Sequence, residues 1–288
     1  MSSPSFLRGI WVPLITPFIR ATVDHAGLAR LTAALAASGI AGFVVCGSTG
    51  EAATLSDAEQ LATLDTVLAA AAGLPVLMGL GGVATSAVRE KLLRVVERPI
   101  AGALISAPPY VRPSQAGLLQ HFSALADASP KPVLLYDIPG RTGVRIETAT
   151  LLALAAHPRI VGVKDCSGDL DHLQALLSDG RLAVLCGDDH QIFASLCLGA
   201  AGAIAASAHL QPQRFVQMQR LLDQGRLPEA RALWRRLRPL ATALFAEPNP
   251  ALVKAALAPL HDLSDELRPP MARATDAARD RVAAALAA

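Results

Sequence analysis

Lys164 closes an apolar run, Ile160-Val-Gly-Val-Lys164, in a chain that writes its positive charge mostly as arginine. Only four of its 26 basic residues are lysines: Lys91, Lys131, Lys164 and Lys254. Lysine is almost never fully buried without a reason. Unlike a guanidinium, its amine can be deprotonated and become a nucleophile. A free lysine titrates at about 10.4, and apolar surroundings lower that value by desolvation. A neutral amine condenses with a ketone to an imine, and the imine stabilises a carbanion at the adjoining carbon. The competing reading of Lys164 is structural, a buried pair with an aspartate or glutamate.

Other residues could complete such a site. Tyr136 lies on the apolar run before that of Lys164. A phenol there can move protons on and off a carbinolamine, or be a half-buried aromatic at a strand end. Ser48 and Thr49 stand between Gly47 and Gly50. Tight backbone with two hydroxyls suits a carboxylate or a proton relay, and equally a turn with a helix cap. Arg141, in Pro139-Gly-Arg-Thr-Gly143, carries the planar fork that clamps a carboxylate, or is a solvated loop residue. Gly79-Leu-Gly-Gly82 resembles a phosphate loop only weakly and reads as close packing at a strand end. The seven histidines show no ligand spacing, so neither a metal site nor another cofactor is expected.

These groups need elements that bring them to one place. Eight apolar runs bounded by Gly or Pro, residues 9–16, 42–47, 75–81, 102–107, 132–139, 160–166, 182–189 and 202–208, alternate with helical patterns such as 24–37, 56–72, 85–96 and 114–126. Near-continuous apolar runs suit parallel strands buried on both faces. Ser56-Asp-Ala-Glu59 has the capping-box form. Eight alternations without a composition break predict an α/β fold, a single (β/α)8 TIM barrel. A doubly wound open sheet, the competing architecture, calls for a G-x-G-x-x-G after the first strand, and none is there. Residues 1–210 are assigned to the barrel and its catalytic site, and residues 211–288 to a C-terminal helical extension packed on it. In such a barrel chemistry sits at the C-terminal ends of the strands. Ser48, Thr49, Tyr136, Lys164 and Gly187-Asp-Asp189 fall there.

Composition narrows the function classes. The 288 residues are 52% hydrophobic and 17% charged, enough for a large core and too apolar for disorder. The net charge is +2, and the one basic run, Arg231, Arg235, Arg236 and Arg238, reads as a solvated helix face, so no nucleic-acid partner is expected. No run of about 18 apolar residues exists, so no membrane span is expected. The first residues lack the basic start and long apolar stretch of a targeting segment, and Pro13 and Pro17 interrupt them. Cys46, Cys166, Cys186 and Cys197 are far apart without a C-x-x-C, which reads as reduced thiols. A cytoplasmic location is the expectation.

At these residues the sequence resembles the dihydrodipicolinate synthase (4-hydroxy-tetrahydrodipicolinate synthase) family, within the N-acetylneuraminate lyase superfamily of pyruvate-dependent class I aldolases. The segments that carry the resemblance run in order along the chain. They are Gly47-Ser-Thr-Gly-Glu51 with Ala53-Thr-Leu55, Pro109-Tyr-Val-Arg-Pro-Ser-Gln115, Tyr136-Asp-Ile-Pro-Gly-Arg-Thr-Gly143, Gly162-Val-Lys-Asp165, Gly187-Asp-Asp189, and Glu247-Pro-Asn-Pro250 with Lys254. The resemblance implies a lyase that condenses pyruvate with aspartate semialdehyde in lysine biosynthesis. It implies Lys164 as the Schiff-base lysine and Tyr136 as the general acid/base. It implies that Thr49 links Tyr136 to Tyr110, a tyrosine that in this family reaches in from the neighbouring subunit, and with it a homo-oligomer (dimer or tetramer). It further implies that Ser48 and Thr49 hold the pyruvate carboxylate, that Arg141 receives the carboxylate of the aldehyde, and that Gly187 and Ile204 line the pyruvate pocket.

The departures are specific. Ser48 stands for a more usual threonine, Asp137 for a common asparagine, and Pro109 for a frequent second tyrosine. Asp57, Gln60, Val83 and Ala87 fall where lysine-inhibited members carry His, His, Asn and Glu, which puts feedback by lysine in doubt. Two alternatives stay open: another pyruvate-imine aldolase or dehydratase acting on sialate or a sugar acid, and a barrel that binds a 2-oxo acid without catalysis. Arg141 separates the first, because sialate and sugar-acid members generally lack an arginine there.

Overall fold

A computed structural model describes residues 5–287; the first four residues of the N-terminal stretch and the last residue of the extension lie outside it. Eight strands close into a parallel barrel: β1 (Gly9–Pro13), β2 (Gly42–Val45), β3 (Val76–Leu80), β4 (Gly102–Ser106), β5 (Val133–Asp137), β6 (Ile160–Asp165), β7 (Ala183–Cys186) and β8 (Gly202–Ile204). Their order around the sheet is β1-β8-β7-β6-β5-β4-β3-β2. Each expected apolar run holds one strand. The runs read as continuous because almost every strand residue is buried, as in β2, β3 and β7.

The helices follow in chain order: α1 (His25–Ala36), α2 (Asp57–Ala70), α3 (Thr85–Val95), α4 (Gln115–Ala128), α5 (Pro139–Thr142), α6 (Thr148–Leu154), α7 (Leu170–Asp179) and α8 (Ile192–Cys197). The C-terminal extension supplies α9 (Pro212–Asp223), α10 (Leu227–Leu244), α11 (Ala251–His261) and α12 (Asp276–Ala287). The capping box opens α2 as its sequence requires. Ser56 Oγ accepts from the Glu59 N–H at 3.2 Å, and the Ser56 N–H donates to the Glu59 carboxylate at 2.8 Å. On α10, Trp234, Leu237, Leu240, Ala241 and Leu244 are buried, while Arg231, Arg235, Arg236 and Arg238 are exposed, a solvated face. Among the described residues no helix is long and apolar enough to cross a membrane.

The chain divides into two compact units. One comprises residues 75–204 with the described residues before Gly9. Within it β3 to β8 pair in parallel, and Tyr136 of β5 lies beside Lys164 of β6 in register. The other comprises residues 9–74 and 205–287. There β1 pairs with β2, and α9 packs against β1 and α10. It also holds an element that the sequence did not suggest, an antiparallel hairpin of Phe18–Ile19 with Thr22–Val23. Its turn residues Arg20 and Ala21 take left-handed φ values of 51° and 61°. With strands of two residues each, the hairpin has no room for a readable alternation.

Candidate active site

Register places the two central groups. Because Tyr136 and Lys164 are directly opposite on adjacent strands, their side chains leave the sheet on the same side. Lys164 Nζ donates to the Tyr136 hydroxyl at 3.3 Å and lies 4.3 Å from the centre of the phenol ring. Both residues are buried. Among the described residues the hydrogen-bond partner of Lys164 is this phenol and not a carboxylate. Burial disfavours the charge on Lys164, yet Tyr136, Cys166 and Asp189 outweigh it and hold the amine above its ordinary range. The expectation of a lowered value treated the surroundings as uniformly apolar, and these neighbours reverse the sign. Burial pushes the Cys166 thiol up to about 12.

Gly187, just after β7, is shaped by Lys164. A Cβ there would stand 2.6 Å from Lys164 Cε and 2.5 Å from Cys166 Sγ. The backbone therefore comes close to the amine only because residue 187 has no side chain. Ile204, the last residue of β8, is buried. Arg141 is exposed in α5, which Pro139 opens at its first position. Tyr110 is 90% exposed and takes a left-handed φ of 72°. Its N–H donates to the Thr142 carbonyl at 3.2 Å. Lys164, Tyr136 and Gly187 thus come together, whereas Tyr110 points to solvent in a single chain.

In the other unit, Ser48 and Thr49 occupy a tight turn after β2, closed by Gly50 N–H to the Gly47 carbonyl at 3.0 Å. A Cβ on Gly50 would meet the Leu14 carbonyl at 3.0 Å, so the turn presses on the neighbouring strand end. Thr49 is buried, and its hydroxyl accepts from Asn249 Nδ2 at 2.9 Å. Glu51, left-handed at φ 53°, pairs with Lys254. The Lys254 ammonium also donates to the Glu266 carbonyl at 2.8 Å and sits 4.1 Å from the centre of the Phe18 ring. Burial lowers Lys254 to about 8 against the pull of Glu51. Asn249 and Glu51 were not among the residues singled out for chemistry. Their only signal was membership of the Gly47–Glu51 and Glu247–Pro250 motifs, which carry no mechanism of their own.

Residues that face away from Lys164 also form a group. One donor atom each from Asp137, Asp165 and His172 lies within 4.8 Å of the others. No metal site was expected from the spacing of the histidines. The fold gathers this set from two strands and a helix, which spacing along the chain does not reveal. Burial pushes the Asp137 carboxyl up to about 6, with Asp165 adding to the effect.

Comparisons with known proteins agree with this architecture. The profile of the Dihydrodipicolinate synthetase family matches residues 6–288. The chain is 40% identical over 286 residues to the 4-hydroxy-tetrahydrodipicolinate synthase of Sorangium cellulosum (strain So ce56), covering 97% of this chain and 95% of that protein. Among solved structures, dihydrodipicolinate synthase from Aquifex aeolicus superposes with a TM-score of 0.94 at 31% identity, covering 97% of both chains. The DHDPS from Cyanidioschyzon merolae with lysine bound gives 0.95 at 32% identity, covering 98% of both. With the barrel closed and a buried lysine–tyrosine pair within it, the chain belongs to the dihydrodipicolinate synthetase family, as a pyruvate-condensing lyase of the lysine-biosynthetic type.

Proposed function

We propose that the protein condenses pyruvate with aspartate semialdehyde to 4-hydroxy-tetrahydrodipicolinate, with Lys164 as the Schiff-base nucleophile. The observation that carries this reading is the 3.3 Å contact between Lys164 Nζ and the Tyr136 hydroxyl in a buried setting. The amine attacks C2 of pyruvate once it has passed on its extra proton, and Tyr136 is within reach of that proton. The carbinolamine loses water as a proton is delivered to its hydroxyl, giving the imine. Loss of a C3 proton yields the enamine, whose C3 attacks the aldehyde carbon of the second substrate. The amine of that substrate then displaces Lys164 from the imine, which closes the ring and restores the free lysine.

The remaining roles rest on the family motifs. Ser48 and Thr49 receive the pyruvate carboxylate, and Thr49 relays protons between Tyr136 and Tyr110. Arg141 receives the aldehyde's carboxylate, and Gly187 and Ile204 line the pyruvate pocket. Asn249 supports Thr49, because a hydroxyl that accepts from an amide keeps its own proton for another partner. The exposure of Tyr110 and of the adjoining Val111 suits a homo-oligomer, a dimer or tetramer, in which Tyr110 completes a neighbour's site. Four cysteines outside any disulfide suit a cytoplasmic location. The test is reduction with borohydride in the presence of pyruvate. The expected result is one reduced pyruvyl group on Lys164 and none in Lys164→Arg, since a guanidinium stays protonated. An unmodified wild-type chain defeats the mechanism.

A further inference from the structure

Tyr136 and Lys164 are each followed by an aspartate, and because strand side chains alternate, Asp137 and Asp165 emerge on the other side of the sheet. They are paired in register across β5 and β6. Both are buried, Asp137 completely. His172 comes to them from the first turn of α7, whose start is fixed by Asp169 accepting from the His172 N–H at 3.0 Å. The three side chains offer donor atoms no more than 4.8 Å apart.

Their hydrogen bonding is half complete. Asp137 Oδ1 accepts from the Ile146 N–H at 3.0 Å, but Oδ2 is buried without a partner. Asp165 Oδ1 accepts from the Ser167 N–H at 2.8 Å. His172 Nδ1 is held by the Thr148 hydroxyl at 2.7 Å, and Nε2 is buried without a partner. A ring nitrogen oriented by a second group, with the other left over, is the arrangement of a metal-binding histidine. The charges are also uneven. Arg145 is the neighbouring cation, and it is bridged to Asp169 at 2.9 Å. Arg145 therefore compensates the two buried carboxylates only in part, and buried charges are ordinarily paired or bound to metal.

We propose that Asp137, Asp165 and His172 form a site for a divalent cation of the zinc class. Two carboxylates with one imidazole suit zinc, whereas magnesium and calcium prefer oxygen donors alone. Around a tetrahedral ion with bonds of about 2.0–2.1 Å, donors stand about 3.4 Å apart, so the three side chains need close by no more than about 1.5 Å. Three protein ligands leave one position for water. Thr148, which holds His172, and Arg145 with Asp169 line an open cleft of about 750 Å³ beside the three side chains. The bound ion would tie β5, β6 and α7 together behind the Lys164–Tyr136 pair. This inference does not depend on the chemistry assigned to Lys164.

The experiment is zinc binding to the chelator-stripped full chain, by competition with a chromophoric chelator and by metal analysis after dialysis. Magnesium serves as the comparison. One zinc per chain is expected, with at least a hundredfold weaker binding in Asp137→Asn and in His172→Gln. Asp137→Asn keeps the volume and the acceptor for Ile146, and circular dichroism verifies the fold of both variants. Stoichiometric binding that survives both substitutions places the ion elsewhere and overturns the proposal, as does no binding by the wild type, the result expected if the two carboxylates share a proton instead. Cobalt substitution decides the case if both variants misfold. A spectrum without thiolate charge transfer supports the oxygen–nitrogen set, and one with it assigns the metal to cysteine and overturns the proposal.

Discussion

Gly187→Ala should slow imine formation by roughly a hundredfold while the fold persists. The added methyl would stand 2.6 Å from Lys164 Cε, 2.7 Å from Lys164 Cγ and 2.5 Å from Cys166 Sγ. Ordinary carbon contacts begin near 3.5 Å, so the lysine side chain must retreat by about 1 Å. A displacement of that size at a reacting group costs on the order of 10² in rate. Overpacking of this kind costs about 1–3 kcal/mol of stability. Gly187 does not have a left-handed φ, so no backbone penalty confuses the result. The rate of borohydride-trapped adduct and kcat/KM for pyruvate are the readouts, with urea unfolding to verify the fold. Gly140→Ala is the control, because its methyl meets nothing within 4 Å. Adding Cys166→Ala to Gly187→Ala relieves the sulfur contact but neither lysine contact, so the rate should stay low. A Gly187→Ala enzyme within about threefold of wild type would refute the argument that the empty volume at residue 187 positions Lys164.

Tyr136→Phe should lower kcat by roughly 10²–10⁴-fold, the usual weight of a positioned acid–base group, and a smaller loss in stopped-flow turnover would remove the phenol from proton transfer. Arg141→Ala should raise KM for aspartate semialdehyde far more than for pyruvate; equal losses would make the residue structural, and efficient sialate cleavage by wild type would change the substrate class. Lysine at about 1 mM should leave initial rates unchanged. Val83 and Ala87 offer no acceptor for an ammonium, and the Gln60 amide already donates to the Ala52 and Leu55 carbonyls at 3.0 and 3.2 Å. Half-inhibition below that concentration, which needs only about −4 kcal/mol of binding, would show that another set of groups holds lysine. Stability should fall as pH drops from about 6.5 towards 4, because burial lowers His209 to about 4 while the unfolded chain takes up the proton near 6.5. The loss from this residue is about 3 kcal/mol in all. Urea unfolding of His209→Gln should show a shallower pH dependence, and an identical slope would acquit the histidine.

How far the sequence could be read depends on the range of the interactions. Strand positions were legible because burial on both faces leaves an uninterrupted apolar run, and α2 was legible because its cap is local. Tyr136 and Lys164 could be placed on adjacent strands because the order of the runs fixes the order of neighbours in a parallel barrel. The partners of the turn after β2 could not be found this way. Thr49 meets Asn249 across 200 residues, and Glu51 meets Lys254 from a helix in the extension. Asp165 lies next to Lys164 in sequence but faces the other way. The group it joins depends on where α7 starts, a feature that no spacing between histidines encodes.

The two buried lysines show what the fold adds to a composition argument. The chain has four lysines, and two of them, Lys164 and Lys254, prove to be buried. Ranking by acidity would choose the wrong one. Lys254 is lowered to about 8, whereas Lys164 is held above its ordinary value. The lowered value gives Lys254 more free amine at pH 7, but its surroundings commit the nitrogen. Glu51, the Glu266 carbonyl and the face of Phe18 enclose it, and removing the charge would strand a buried carboxylate at a cost of about 3–5 kcal/mol. Asp189 also draws on Lys164, but among the described residues no carboxylate hydrogen-bonds to it. Its hydrogen-bond partner is a phenol that can exchange a proton with it, and the adjoining glycine leaves room for its chain. Nucleophilicity depends on what the amine is free to do after losing a proton, so among buried lysines geometry is a better guide than acidity.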